Sequence, residues 1–322
     1  MKRIVLTGGS GFAGNNLARR LVRDGHEVHL LLRAGFQSWR LYDLENDVAK
    51  HEANLEDAEG LTRLLGAIRP DWVFHLAVYG AYPGQSDFGN MLDTNLHGTV
   101  NLVTSALECG FEAFVNAGTS SEYGYKAVAP TETTFLEPNS HYAVSKAAAT
   151  QYCAYIARHK NVPISTLRLY SAYGPFEEPS RFVPTLVLKG LEGQLPPLVD
   201  PATARDFIYI DDVVDAFLAA AEASRRACGQ IYNVGTGRQT TIGQAVEVAR
   251  GALHLTEKPV WNTMPRRQWD TGAWQADIGS ITRDLAWRPR FDFASGFAAT
   301  IQWFQDHPEL ADRYRRMQSR AG

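Results

Sequence analysis

The chain has 322 residues, 45% of them hydrophobic and 21% charged, and a formal net charge of -3 at pH 7. That is the balance of a soluble globular protein; it excludes a disordered chain and offers no electrostatic basis for binding nucleic acid. Three cysteines, Cys109, Cys153 and Cys228, odd in number and far apart, exclude a disulfide framework and a zinc site, so no metal is expected.

A reducing cytoplasmic setting fits that cysteine usage. The opening "MKRIVLTGG" reads as a strand at once, so no signal peptide is expected, and no apolar run is long enough to span a bilayer. The basic end "RYRRMQSRAG" reads as a solvated helix terminus.

In chain order, "RIVLTG" (3–8), "EVHLLLR" (27–33), "DWVFHLA" (71–77), "EAFVNAG" (112–118) and "ISTLRLY" (164–170) read as buried strands. Helical patterns lie between them at 12–24, 57–69, 91–109 and 141–159. Strand and helix in alternation predict right-handed crossovers and a parallel sheet covered on both faces, a doubly wound α/β domain over 1–170. Prolines at 175, 179, 184, 196, 197 and 201 then break the pattern. "RDFIYIDDVVDAFLAAAEA" (205–223) and "QIYNVGTG" (230–237) read as further strands with a helix, so 205–235 is expected to return to the first sheet. The rest of 171–322 is expected to form a smaller, interleaved α/β lobe that binds substrate.

"TGGSGFAG" places Gly8, Gly11 and Gly14 three residues apart, between the first strand and the first helix. Gly8 suits a tight turn, Gly11 lets backbone approach a diphosphate, and Gly14 lets helix and strand pack closely. The helix N-terminus adds free N–H groups and partial positive charge. At the end of the second strand an acid would bind the adenosine ribose hydroxyls; here stand Leu32 and Arg33. A guanidinium suits a 2′-phosphate, so the expected cofactor is NADP(H), with NAD(H) as the other possibility.

"HYAVSK" puts Tyr142 and Lys146 on one face at a helix start, and "NAGTSSEYG" supplies Thr119, Ser120 and Ser121 before it. An ammonium beside a phenol favours the phenolate, which makes tyrosine a usable acid or base near neutrality.

These segments, with "HLA" (75–77), "TNLHGTVNL" (94–102), "LRLYSAYGP" (167–175), "RDFIYIDDV" and "YNVGTG" in order, resemble the extended short-chain dehydrogenase/reductases. The likeness is to the NAD-dependent epimerase/dehydratase branch that acts on nucleotide-sugars. It implies a Rossmann-type domain, a lobe gripping a nucleoside diphosphate sugar, and a homodimer through helices near 94–109 and 141–159. It also implies roles: Thr119, Tyr142 and Lys146 catalytic, with Tyr142 and Lys146 also on the cofactor. Phe12, Asn54, Leu55, Leu76 and Ala77 would complete the cofactor site beside the glycines and Arg33. Tyr79, Ser120, Ser121, Ser171, Arg205 and Arg267 would meet the substrate, and Asn95 would be structural.

The departures matter. Sugar 4,6-dehydratases of this family carry an Asp-Glu pair after the Thr, and UDP-glucuronate decarboxylases carry a Glu at the second of those positions; here they are Ser120 and Ser121. Glu122 comes one place later, on the opposite face if the segment is extended, and is read as structural or orienting. Ser171 replaces a common Asn, and Asn54 replaces an Asp that approaches adenine. What remains suffices for hydride transfer at a carbinol or ketone. The expectation is an NADPH-dependent 4-keto-sugar reductase, with an NAD-dependent nucleotide-sugar 4-epimerase as the alternative. Of the remaining candidates, His141 reads as a surface or substrate-loop residue, His75 as a satisfied core histidine, Trp269, Trp274, Trp287 and Trp303 as packing of the C-terminal lobe, with Trp269 and Trp274 also candidates for the cleft wall, and Tyr79 and Tyr82 as candidate sugar contacts.

Overall fold

A computed structural model describes residues 1–36, 39–81, 84–264 and 273–319. Its strands are β1 (Arg3–Thr7), β2 (Glu27–Leu32), β3 (Ala49–Glu52), β4 (Trp72–His75), β5 (Ala113–Thr119), β6 (Ile164–Leu169), β7 (Ser171–Tyr173), β8 (Ala204–Arg205), β9 (Phe207–Tyr209), β10 (Ile231–Val234) and β11 (Thr240–Thr241). The helices are α1 (Phe12–Arg23), α2 (Ala58–Ile68), α3 (Phe88–Leu92), α4 (Gly98–Cys109), α5 (His141–Lys160), α6 (Phe182–Leu191), α7 (Ile210–Glu222), α8 (Ile242–Leu253), α9 (Gly279–Leu285), α10 (Phe293–Asp306) and α11 (Pro308–Ser319).

Seven strands form one sheet in the order β10-β6-β5-β4-β1-β2-β3, every neighbouring pair parallel. The period-2 alternation of a strand sends neighbours to opposite faces, and here both faces are dry. Ile4, Leu6 and Phe74 pack on Leu17, Leu21 and Phe217 of α1 and α7. Val5, Val73 and Phe114 pack on Leu61, Leu65, Leu102 and Ile156 of α2, α4 and α5. Each such side chain contributes roughly 1.5–3 kcal/mol by leaving water. The chain runs from β1 outward through β2 and β3, then returns to β4 on the other side of β1. That reversal opens a crevice at the carboxyl ends of β1 and β4, where doubly wound sheets bind ligands.

The structure departs from the sequence reading in three places. Residues 204–209 do not return to this sheet: β8 pairs with β11 and β9 with β7, in two small sheets apart from it. Only α7, packed on the sheet, and β10, at its edge, return. The cause is Asp206, fully buried between the two short strands, whose carboxylate accepts N–H groups of Thr236, Gly237 and Ala276. β3 was unforeseen because "AKHE" is a charged edge strand without an apolar run, a form that discourages edge-to-edge pairing. The pattern at 91–109 is not one helix; a π-turn over Asp93–His97 joins α3 to α4 and carries Asn95 into the interior.

Candidate active site

One cleft of about 1470 Å³ opens over the carboxyl ends of the strands. Gly8, Gly11, Phe12, Gly14, Arg33, Asn54, Leu55, Leu76, Ala77, Tyr79, Thr119, Ser120, Ser121, Tyr142, Lys146, Ser171 and Arg205 all line it. Arg267, Trp269 and Tyr82 lie outside the described residues.

The glycine loop is built so that side chains are impossible at two points. Gly8 has φ +71°, and a Cβ there would stand 2.4 Å from the carbonyl carbon of Leu76. A Cβ on Gly14 would stand 2.2 Å from the Gly8 carbonyl oxygen. Gly11 donates its N–H to that same oxygen at 2.9 Å and serves as N-cap of α1 with no side chain capping the helix. The first-turn N–H groups therefore face the cleft, which is the geometry that receives a diphosphate. Arg33, exposed, lines the wall beyond β2 beside Leu32, and no acid follows that strand directly.

β5 ends at Thr119, which caps a 3-10 turn over Ser120–Tyr123 and accepts the Ser121 N–H on Oγ1 at 3.2 Å. The segment is a turn rather than extended, and it sends Glu122 inward. Oε1 of Glu122 accepts the Thr119 N–H and the Thr150 hydroxyl, each at 2.9 Å, while Oε2 accepts Arg168 Nε at 2.8 Å. Glu122 and Arg168 are both fully buried, and neither lines the cleft. Arg168 also donates to the Tyr123 hydroxyl at 2.9 Å and lies over that ring. The acid of "TSSEY" is thus committed to holding the turn that presents Thr119.

Tyr142 and Lys146 occupy the first turns of α5, whose N-cap Ser140 accepts the Ala143 N–H at 3.1 Å. Burial holds the Lys146 ammonium below the ordinary lysine range, while Glu122 and Cys153 pull it back up. No hydrogen bond or ion pair reaches that ammonium among the described residues, so its donors are left for a ligand. Asn95 fixes the surroundings from below. It closes both backbone groups of Tyr79 at 2.8 Å and donates to Ser145 Oγ, which in turn donates to the Tyr142 carbonyl.

His75 is a satisfied core histidine. Thr99 donates its hydroxyl to the Asn95 carbonyl, so it accepts from His75 Nε2, and Nδ1 accepts from Thr7. Burial and the nearby Lys146 push its pKa down to about 3, so it is neutral. His141 is exposed and packs against Phe88 with the two rings tilted. Trp274 lines the cleft near the Arg205 guanidinium, whereas Trp287 donates to the Asp212 carbonyl and Trp303 packs on Phe176.

The sequence reading missed Arg40, Glu177, Glu178 and Arg181, which also line the cleft. Arg40 donates to the Phe176 carbonyl at 2.7 Å and to Glu178 at 3.2 Å, and Arg181 donates to the Ala81 carbonyl. The available signal was the adjacent Glu-Glu in "YGPFEEP", placed where a strand end turns into the ligand crevice. Among the described residues no cluster of three or more His, Cys, Asp or Glu is placed to hold a metal ion, and no helix is long and apolar enough to cross a membrane.

The arrangement is that of a dinucleotide-binding redox site: a phosphate cradle with no space for a Cβ, and a hydroxyl, a phenol and a buried ammonium on one wall. Comparison with known proteins agrees. The model of the NAD dependent epimerase/dehydratase family matches residues 4–235. UDP-glucose 4-epimerase of Mycolicibacterium smegmatis is 31% identical over 94% of this chain and 99% of its own length. dTDP-glucose 4,6-dehydratase of Neisseria meningitidis is 26% identical over 95% of this chain and 94% of its own. The crystal structure of UDP-glucose 4-epimerase with UDP-glucose from Thermotoga maritima superposes with a TM-score of 0.84, at 26% identity, over 94% of this chain and 98% of that one. The chain belongs to the NAD dependent epimerase/dehydratase family, the nucleotide-sugar branch of the extended short-chain dehydrogenase/reductases.

Proposed function

We propose that this chain is a nucleotide-sugar 4-epimerase that retains NAD(H). The observation that carries it is the combination of Thr119, Tyr142 and Lys146 on one cleft wall with Glu122 locked behind it. Elimination of water from a sugar needs an acid and a base at adjacent carbons, and Ser120 and Ser121 supply neither. Reversible oxidation at a single carbon needs no more than the three groups present. The 31% identity to a UDP-glucose 4-epimerase favours inversion over net reduction.

A bound nicotinamide would supply the hydride acceptor and donor. Thr119 hydrogen-bonds the sugar oxygen, Tyr142 takes and returns the hydroxyl proton, and Lys146 stabilises negative charge on the phenol. Ser171 and Arg205, which also line the cleft, would meet the diphosphate of the sugar nucleotide. The test is incubation of purified protein with UDP-glucose or UDP-galactose and no added cofactor. Interconversion to one equilibrium mixture is expected; consumption of NADPH with a 4-keto-sugar and no interconversion would overturn it.

That second outcome is the other reading, an NADPH-dependent reductase of a nucleotide-linked 4-keto sugar, and one observation favours it: Arg33 on the cleft with Leu32 in place of an acid. A homodimer through α4 and α5 belongs to either reading. Val144 and Tyr155, 42% and 59% exposed, share a face of α5, an apolar stripe that a second copy would cover. Light scattering should give twice the chain mass, and Tyr155→Glu should lower it.

A further inference from the structure

Ser145 and Asn95 are fully buried and neither lines the cleft, yet together they join two segments that do. Ser145 has one hydroxyl proton and gives it to the Tyr142 carbonyl at 2.9 Å, so its oxygen accepts an Asn95 amide N–H, also at 2.9 Å. The other amide N–H goes to the Tyr79 carbonyl and the amide oxygen accepts the Tyr79 N–H, each at 2.8 Å. Flipping that amide would break all three bonds. Asn95 is also held from behind. Its carbonyl accepts the Thr99 hydroxyl, Thr99 accepts from His75, and His75 accepts from Thr7 at the end of β1. A continuous line of hydrogen bonds thus runs from Thr7 to the backbones of Tyr79 and Tyr142, and all three of these residues line the cleft.

Tyr142 stands in the first turn of α5, where a helix lacks ladder bonds on its own N–H groups and frays most readily. The side-chain cap there, Ser140, holds the Ala143 N–H. A serine bonded only to the carbonyl three places back would leave that turn free to shift as a unit. The Asn95 bond ties it to the π-turn and, through the same amide, to Tyr79. We propose that Ser145 is a positioning residue for proton transfer: clamped by Asn95, its hydroxyl keeps the first turn of α5, and with it the Tyr142 phenol, in register with the Tyr79 segment. The proposal rests on the reading that Tyr142 moves the proton at the reacting sugar carbon. Without the hydroxyl, an Asn95 N–H stays buried with no acceptor and the turn loses its anchor.

The experiment compares the full chain with its Ser145→Ala, Ser145→Cys and Ser105→Ala variants. Each is measured for interconversion of UDP-glucose and UDP-galactose, NAD affinity and backbone hydrogen exchange. Ser105 is the control, a buried serine bonded between α4 and α2 and absent from the cleft wall. For Ser145→Ala, kcat should fall roughly 10- to 100-fold, the effect of a ~1 Å misplacement, with KM and NAD affinity within about threefold of wild type. Amides of residues 141–147 should exchange about tenfold faster, while those of 150–160 keep the wild-type rate. Ser145→Cys fills the same space with a weaker hydrogen-bonding group, so it should lose turnover as Ala does, and it carries the same test if the Ala variant fails to fold. Ser105→Ala should keep the wild-type kcat. The proposal is overturned by a Ser145→Ala kcat within about threefold of wild type, by full turnover in Ser145→Cys, or by exchange that quickens equally along all of α5. If the wild type interconverts no UDP-hexose, the functional reading itself has failed, and the exchange measurement still decides whether Ser145 holds the Tyr142 turn.

Discussion

Arg168 Nε stands 2.8 Å from Glu122 Oε2, and the two side chains are sealed from solvent beneath the turn that carries Thr119. A buried pair of this kind is weak evidence of net stabilisation, yet removing one partner strands the other charge. Here the pair also sets geometry, because the second Glu122 oxygen holds the Thr119 N–H. The acid nearest the Thr119 hydroxyl is therefore structural in its contacts, and the proposed function rests on Thr119, Tyr142 and Lys146 rather than on this carboxylate.

Glu122→Ala should cost about 3–5 kcal/mol of stability, since Arg168 remains buried and unpaired. Glu122→Gln should cost somewhat less, because its amide oxygen still accepts from Thr119 and Thr150, although its NH2 then faces Arg168 Nε–H and leaves that donor without its acceptor. Chemical denaturation measures both. If Glu122 were an elimination acid, the Gln variant would lose turnover while folding normally; activity per folded molecule is expected to stay within a few-fold of wild type.

Gly14→Ala should abolish dinucleotide binding while leaving the sheet intact. Its Cβ would press on the Gly8 carbonyl oxygen at 2.2 Å, a backbone atom that cannot swing aside. Either α1 retreats from β1 or the turn at Gly8 opens, and both displace the N–H groups that face the cleft. Circular dichroism should remain native-like, with no heat of binding on titration of NAD. Gly25→Ala is the control: φ there is also positive, but nothing lies within 4 Å, so only modest strain is expected and binding persists.

Arg33→Asp separates the two functional readings. If Arg33 pairs with a 2′-phosphate, the ratio of NADP to NAD affinity should fall roughly 10- to 100-fold, the worth of a charged hydrogen bond. If the adenosine ribose is unphosphorylated, NADP binding barely changes and the new carboxylate improves NAD through its ribose hydroxyls. Equilibrium titration with both dinucleotides distinguishes the outcomes.

Much of this was legible in the sequence because the signals are local. The Gly8–Gly11–Gly14 spacing, the Tyr142–Lys146 step and the alternation of strand with helix each sit within one or two elements. The parts that were not legible depend on distant partners. Glu177 is buried by a loop that Arg40, 137 positions earlier in the chain, and Tyr314, 137 positions later, hold in place. The π-turn at Asp93–His97 exists because Asn95 must reach Tyr79 and Ser145, and no periodicity records that. Residues 204–209 read as a sheet strand because apolar alternation is the same in a small sheet as in a large one.

Lys146→Met should make the protein more stable and less active. Lys146 is 3% exposed, and burial is the first cause holding its pKa below the ordinary value of 10.5, with Glu122 and Cys153 opposing. For a lysine whose folded pKa is lowered, the unfolded chain binds the proton more tightly, so the penalty is full below the depressed folded value. It shrinks as pH rises through the depressed folded value and is gone above 10.5. The variant should therefore melt about 1–2 °C above wild type at pH 7, the shift that ~1 kcal/mol produces in a chain of this size. That advantage should narrow steadily into the alkaline range. Turnover should drop by about 10² or more, because Tyr142 loses the neighbouring cation that favours its phenolate. A constant melting difference from pH 7 to pH 10.5 would show that the gain comes from packing rather than from an uncompensated charge. Lys146→Arg, too bulky for the site and equally charged, should show neither the stability gain nor the activity of wild type.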